Sequence, residues 1–218
     1  MMDALLLIDL QVDSLAENGR MPISQGMVTR VLRASEAARR EARQRGWAIV
    51  AVGNEFSRWD FPLNLVKGPG AVNGAQGAAW DPRTSRDWDA YFAKNSRNSF
   101  ANPALDRWLR ERGVTRVHLA GAMAGGCVAE SAKGALKRGY QVLLIPNGIG
   151  ARSERSWAAS LRQLGRTGCT ISEVADQPME WFRREELPAA GGFVGRRAIP
   201  VQAAAKMLHF GWGHSRRG

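Results

Sequence analysis

Cysteine and histidine are scarce in this chain of 218 residues. It has two cysteines, Cys127 and Cys169, and three histidines, His118, His209 and His214. Two cysteines cannot build a disulfide scaffold, and so few fit a reducing compartment, so a cytoplasmic location is expected. The histidines stand at no metal-ligand spacing, so neither a metal nor another cofactor is expected. No run of about 18 apolar residues occurs, which argues against a membrane partner. The apolar stretch "ALLLIDL" near the start has no basic flank before it, so it does not read as a secretory signal. Repeats and low-complexity segments are also lacking.

Lysine is sparse as well. Of 31 basic residues only five are lysines, yet the formal net charge is +11. Such a balance invites a nucleic-acid reading, because clustered cations neutralise phosphates. The arginines are instead dispersed along the chain, and no basic stripe interleaved with aromatics is visible. A solvated basic surface is the simpler reading, and no nucleic-acid partner is expected.

What is present alternates. "ALLLIDL" (4–10) is a continuous apolar run of strand length, as expected for a strand buried on both faces of a parallel sheet. Helical spacing follows over 24–45 (Val28, Val31, Leu32, Ser35, Ala38, Ala42), with Gly46 as the stop. "WAIVAVG" (47–53) reads as a second strand. From Asn54 to Asp89 no long periodic run is found, and a loop of that length is usually functional or hides short elements. An apolar-aromatic run then ends at Lys94. Asn102 caps a helix with Pro103 at its first position and Gly113 beyond its end. The strand 114–122, a helix over 126–138, the strand "YQVLLIP", a Ser153-capped helix and a last strand "GCTISEVA" complete the pattern. Alternation at this spacing predicts an α/β fold: a three-layer, Rossmann-like sandwich with a mostly parallel six-stranded sheet and helices on both faces. The chain divides into a body, 1–176, and an extension, 177–218, read as two short helices around a loop.

Ligand sites in such sheets lie beyond the carboxyl ends of the strands. Asp9 and Cys127 each stand at or just past such an end, and Lys94 ends a strand of its own. Gly121, Ala122, Gly125 and Gly126 allow a tight strand-to-helix turn that leaves amide N–H groups near the Cys127 sulfur. A thiol attacks only as thiolate, and a helix N-terminus or a neighbouring cation lowers its pKa. Thiol, cation and carboxylate in one crevice would supply a nucleophile, a group that lowers its pKa and a proton shuttle. The alternative, a small buried hydrophobe, remains open for a lone cysteine on these grounds. Cys169 reads as a packing residue, His118 as a satisfied strand histidine, and Gln11 and Asp13 as residues that orient the first loop.

The blocks "ALLLIDLQVD", "VNGAQGAAWDP" and "KNSRNSFANPALDRWLRERGVTRVHLAGAMAGGCVAESAKGALKRGYQVLLIPNGIG" resemble, in order and spacing, the isochorismatase-like cysteine hydrolase superfamily over residues 3 to 172. The resemblance implies a catalytic triad on Asp9, Lys94 and Cys127. It also implies a cis peptide between Ala122 and Met123, and an oxyanion hole made by the backbone N–H groups of Met123 and Cys127. Body 1–176 would then be the hydrolase domain. The implied activity is metal-independent hydrolysis of a C–N bond, amide or ureido, in a small-molecule substrate through a Cys127 thioester. Nicotinamidases of the superfamily hold zinc through an Asp and several His after the second strand, whereas "VGNEFSRWDFPLN" has no histidine.

Asn54, Glu55, Arg58 and Trp59 are the candidate substrate-binding residues, with Arg58 the natural partner of a substrate carboxylate. Two rival functions stay in view: isochorismatase-type vinyl-ether hydrolysis, and a catalytically inactive member that binds a metabolite or a protein. The resemblance implies a homo-oligomer, dimer or tetramer. Trp181, Phe182, Leu208, Phe210 and Trp212 make the extension a candidate oligomerisation arm.

Overall fold

The computed structural model describes residues 2–55, 74, 76–172 and 199–200. The apolar run at the start forms strand β1, Met2–Ile8, buried along nearly its whole length. A short helical turn, α1 (Val12–Leu15), and a long helix, α2 (Gln25–Gln44), follow. Gly46 ends α2 at φ +67°, a conformation glycine adopts without cost. Strand β2, Ala48–Asn54, is buried throughout and runs through Asn54, which the sequence had placed in the loop. Next come β3 (Ala90–Lys94), α3 (Pro103–Glu111) and β4 (Val114–Ala122). A wide helical turn, Ala124–Val128, leads into α4 (Ala129–Leu136). Then β5 (Gln141–Gly150), α5 (Glu154–Arg166) and β6 (Thr170–Ile171) close the body.

Caps fall where local chemistry places them. The Asn102 side chain accepts from Ala104 N–H with Pro103 in the first turn of α3, and Ser153 forms a reciprocal capping box with Ser156 at α5.

The strand order is β3-β2-β1-β4-β5-β6, all parallel, and β7 (Ile199–Pro200) adds an antiparallel seventh strand beside β6. Six parallel strands agree with the expectation from sequence. The seventh comes from the extension and was not expected: two residues, one of them proline, carry no periodicity to read. The described part of β6 covers two residues of the eight expected. Apart from Ile199 and Pro200, the extension lies outside the described residues, including Trp181, Phe182, Leu208, Phe210 and Trp212.

From β1 the chain first builds outward through β2 to β3, then returns and builds the other way through β4 to β6. Right-handed crossovers therefore put α2 on one face of the sheet and α3, α4 and α5 on the other. The reversal lies between β1 and β4, and sheets of this kind build their sites beyond the carboxyl ends of the strands at the reversal. These strands approach closely there. Gly121 has φ +132°, and a side chain on it would run into the backbone carbonyl of Ile8. No helix among the described residues is long and apolar enough to cross a membrane.

Candidate active site

Four strand ends contribute to one cluster. Asp9 leaves β1 with φ +52°, the left-handed region that a non-glycine residue occupies only at a cost of about 1–3 kcal/mol. Its N–H still donates to the Val52 carbonyl at 2.8 Å, so the backbone is tied to β2 while it turns. Lys94 ends β3 opposite Asn54, its register partner on β2. Cys127 lies in the wide turn after β4, where the N–H groups of Gly126 and Val128 both donate to the Met123 carbonyl, at 2.9 and 3.2 Å. The peptide bond joining Ala122 and Met123 is cis.

Lys94 Nζ donates to Asp9 Oδ2 at 2.9 Å and to Asn54 Oδ1 at 2.7 Å. Asn54 Nδ2 donates to the same Asp9 oxygen at 2.8 Å and lies 3.5 Å from Cys127 Sγ. Lys94 and Asp9 are buried, with side-chain exposures of 0% and 4%. Asp9 Oδ1 is buried and has no hydrogen-bond donor among the described residues. The Cys127 thiol lies close enough to this carboxylate for each group to bear on the other's proton affinity.

The electrostatics follow from burial. Desolvation raises the Asp9 pKa above the ordinary carboxylate value, while the Lys94 charge and hydrogen bonds from Cys127, Lys94 and Asn54 oppose it. The Cys127 thiol is pushed up to about 11, first by desolvation and then by the Asp9 charge, with Lys94 and Asn54 pulling it down. The sequence led to a lowered thiol pKa. The correction is that burial and a carboxylate neighbour outweigh the cation, whose charge is already shared with Asp9. The resting sulfur is therefore a thiol.

Of the four candidate substrate-binding residues, Asn54 is buried inside the cluster rather than lining a loop. Glu55 is partly exposed at the edge: its N–H donates to the Lys94 carbonyl at 2.8 Å, and its Oε1 accepts from the Tyr91 hydroxyl at 2.8 Å. Burial and Glu55 hold the Tyr91 phenol above its ordinary range, so it stays protonated as a donor. Arg58 and Trp59 lie outside the described residues. Gln11, read from the sequence as orienting the first loop, ties the end of β2 to the segment around Ala78. Its Oε1 accepts from Asn54 N–H at 2.9 Å, and its Nε2 donates to the Asn54 carbonyl at 2.9 Å and the Ala78 carbonyl at 2.5 Å. Cys169 is packed in the core, and His118 sits between Asp3 and Ser172 at 2.9 and 2.7 Å.

The family model for the Isochorismatase domain matches residues 3–176. The chain belongs to the isochorismatase family. A curated relative, the streptothricin hydrolase of Streptomyces noursei, is 28% identical over 144 residues, which cover 65% of this chain and 51% of the relative. The chain thus spans about half the length of the curated relative it matches. Among solved structures it is similar to a nicotinamidase from Bacillus subtilis, with TM-score 0.72 and 23% identity over 79% of this chain and 100% of that one. An isochorismatase-like hydrolase from Alkaliphilus metalliredigens has TM-score 0.69 and 22% identity over 83% and 98% of the two chains. An N-carbamoylsarcosine amidase from Thermoplasma acidophilum has TM-score 0.69 and 22% identity over 82% and 99%.

The described residues at the end of β2 do not fit a zinc site. No group of three or more His, Cys, Asp or Glu able to hold a metal occurs among the described residues. At the end of β2, Asn54 spends both ends of its carboxamide on Lys94 and Asp9.

Proposed function

We propose that this isochorismatase-family chain is a cysteine hydrolase that breaks a C–N bond, amide or ureido, of a small molecule. The observation that carries the reading is the convergence of the Cys127 sulfur, the buried Asp9 carboxylate and Lys94 at neighbouring strand ends, with Lys94 Nζ 2.9 Å from Asp9 Oδ2 and Asp9 Oδ1 without a donor among the described residues. Relatives named as amidase, nicotinamidase and streptothricin hydrolase support the same bond class.

The thiol proton passes to Asp9 Oδ1 as Cys127 Sγ attacks the substrate carbonyl carbon. Lys94 holds the carboxyl group in place through Oδ2. The N–H groups of Met123 and Cys127 receive the oxyanion, a role in which one donor is typically worth about 10²–10³ in rate. The C–N bond breaks as Asp9 returns the proton to the departing nitrogen, leaving a Cys127 thioester. A water then gives its proton to Asp9 and its oxygen to the acyl carbon. The carboxylic acid leaves, and the proton on Asp9 restores the thiol.

Release of ammonia or amine from a panel of amides and ureides, abolished by alkylation and in Cys127→Ala, is the expected result. Pyruvate release from isochorismate that survives alkylation would favour vinyl-ether hydrolysis instead. Metabolite binding without turnover would favour an inactive member.

A further inference from the structure

The carboxamide of Asn54 cannot be turned around. A lysine ammonium has only donors, so the Asn54 atom facing Lys94 Nζ at 2.7 Å must be the oxygen. The amide nitrogen is thereby fixed toward Asp9 Oδ2 at 2.8 Å and Cys127 Sγ at 3.5 Å. It has two hydrogens, one for each. Among the described residues no other side-chain donor lies within hydrogen-bonding distance of this sulfur. The backbone on both sides of Asn54 is clamped by the single side chain of Gln11, so the amide is held from behind as well.

Resting on the reading of Cys127 as the nucleophile, we propose that Asn54 is the donor that holds the Cys127 sulfur as it becomes a thiolate. The sulfur of a neutral thiol is a weak acceptor, whereas a thiolate is a strong one. When the proton moves from Cys127 to Asp9, negative charge leaves one partner of Nδ2 and arrives on the other. The same N–H groups therefore follow the charge without any side chain moving far. This makes Asn54 a positioning residue for proton transfer within the triad, and not a residue that selects substrate.

The test reads the sulfur directly and needs no substrate: the rate of Cys127 alkylation by iodoacetamide against pH, mapped by peptide mass spectrometry. Asn54→Leu keeps the side-chain size and the backbone bonds to Gln11 but removes the donor. Its alkylation midpoint is expected to rise by about one pH unit or more, a tenfold slower reaction at fixed pH below the midpoint. A role exercised only by holding Lys94 is separated by repeating the substitution in a Lys94→Met background, or Lys94→Gln if that variant does not fold. Persistence of the rise there supports direct action on the sulfur. An unchanged midpoint in Asn54→Leu, or a rise that vanishes without Lys94, overturns the proposal. Undiminished amide turnover in Cys127→Ser would instead sink the proposed function, whatever the alkylation midpoints show.

Discussion

A buried ion pair is costly to break from one side, because the remaining charge loses its only compensation. Lys94 and Asp9 are such a pair, with Asn54 donating to the same Asp9 oxygen. Lys94→Ala is therefore expected to lower stability by about 3–5 kcal/mol, read as a fall in the denaturant midpoint, and to remove turnover. Loss of turnover with an unchanged midpoint would contradict the burial argument. Cys127→Ala should differ in kind: turnover is lost while the circular dichroism and melting curve stay close to wild type. The convergence of Asp9, Lys94 and Cys127 on one place was legible in the sequence because each stands at or just past a strand end in an alternating α/β pattern. The conformation of Asp9, at φ +52°, was not. Nor was the place of Asn54 in the cluster, which depends on β2 extending one residue further and on a side chain fixed by three partners from distant segments. Local pattern carries no trace of either.

At the scale of elements, the site depends on how closely β1 and β4 approach. Gly121 is where that approach is tightest, and a methyl group there meets the Ile8 carbonyl one residue before Asp9. Gly121→Ala is expected to destabilise the fold by about 3 kcal/mol and to lower activity together with it, measured by chemical denaturation and turnover in parallel. A variant with wild-type stability would show that the strands can separate at no cost. Strand and helix order was legible because hydrophobic period and capping residues such as Asn102 and Ser153 act within a few positions of one another. The antiparallel β7 was not, since pairing with β6 across nearly thirty positions of sequence is a tertiary choice.

The charge of the whole molecule is less free than its composition suggests. On α2, Arg39 and Arg43 pair with Glu36, Asp87 and Asp89, which ties the segment before β3 to the helix. Deeper, His118 is buried between Asp3 and Ser172 under the Trp47 ring, 4.2 Å away. Burial lowers its pKa more than Asp3 raises it. The folded state thus favours neutral imidazole more than the unfolded chain does. Its stability contribution is present above the unfolded pKa, about 6.5, and is lost as pH falls through the folded value. Melting temperature should therefore drop as pH falls below about 6.5, and drop less in His118→Gln. Equal losses in both proteins would contradict this.

The central claim is that the Cys127 sulfur carries the acyl group of a cleaved amide. Its most direct test is intact-protein mass spectrometry of rapidly acid-quenched mixtures with the amides and ureides that release ammonia or amine. A mass increase equal to the acyl portion, mapped to Cys127 and missing in Cys127→Ala, is the predicted result. Amine release that continues in Cys127→Ala, with no adduct on the wild-type protein, would contradict it.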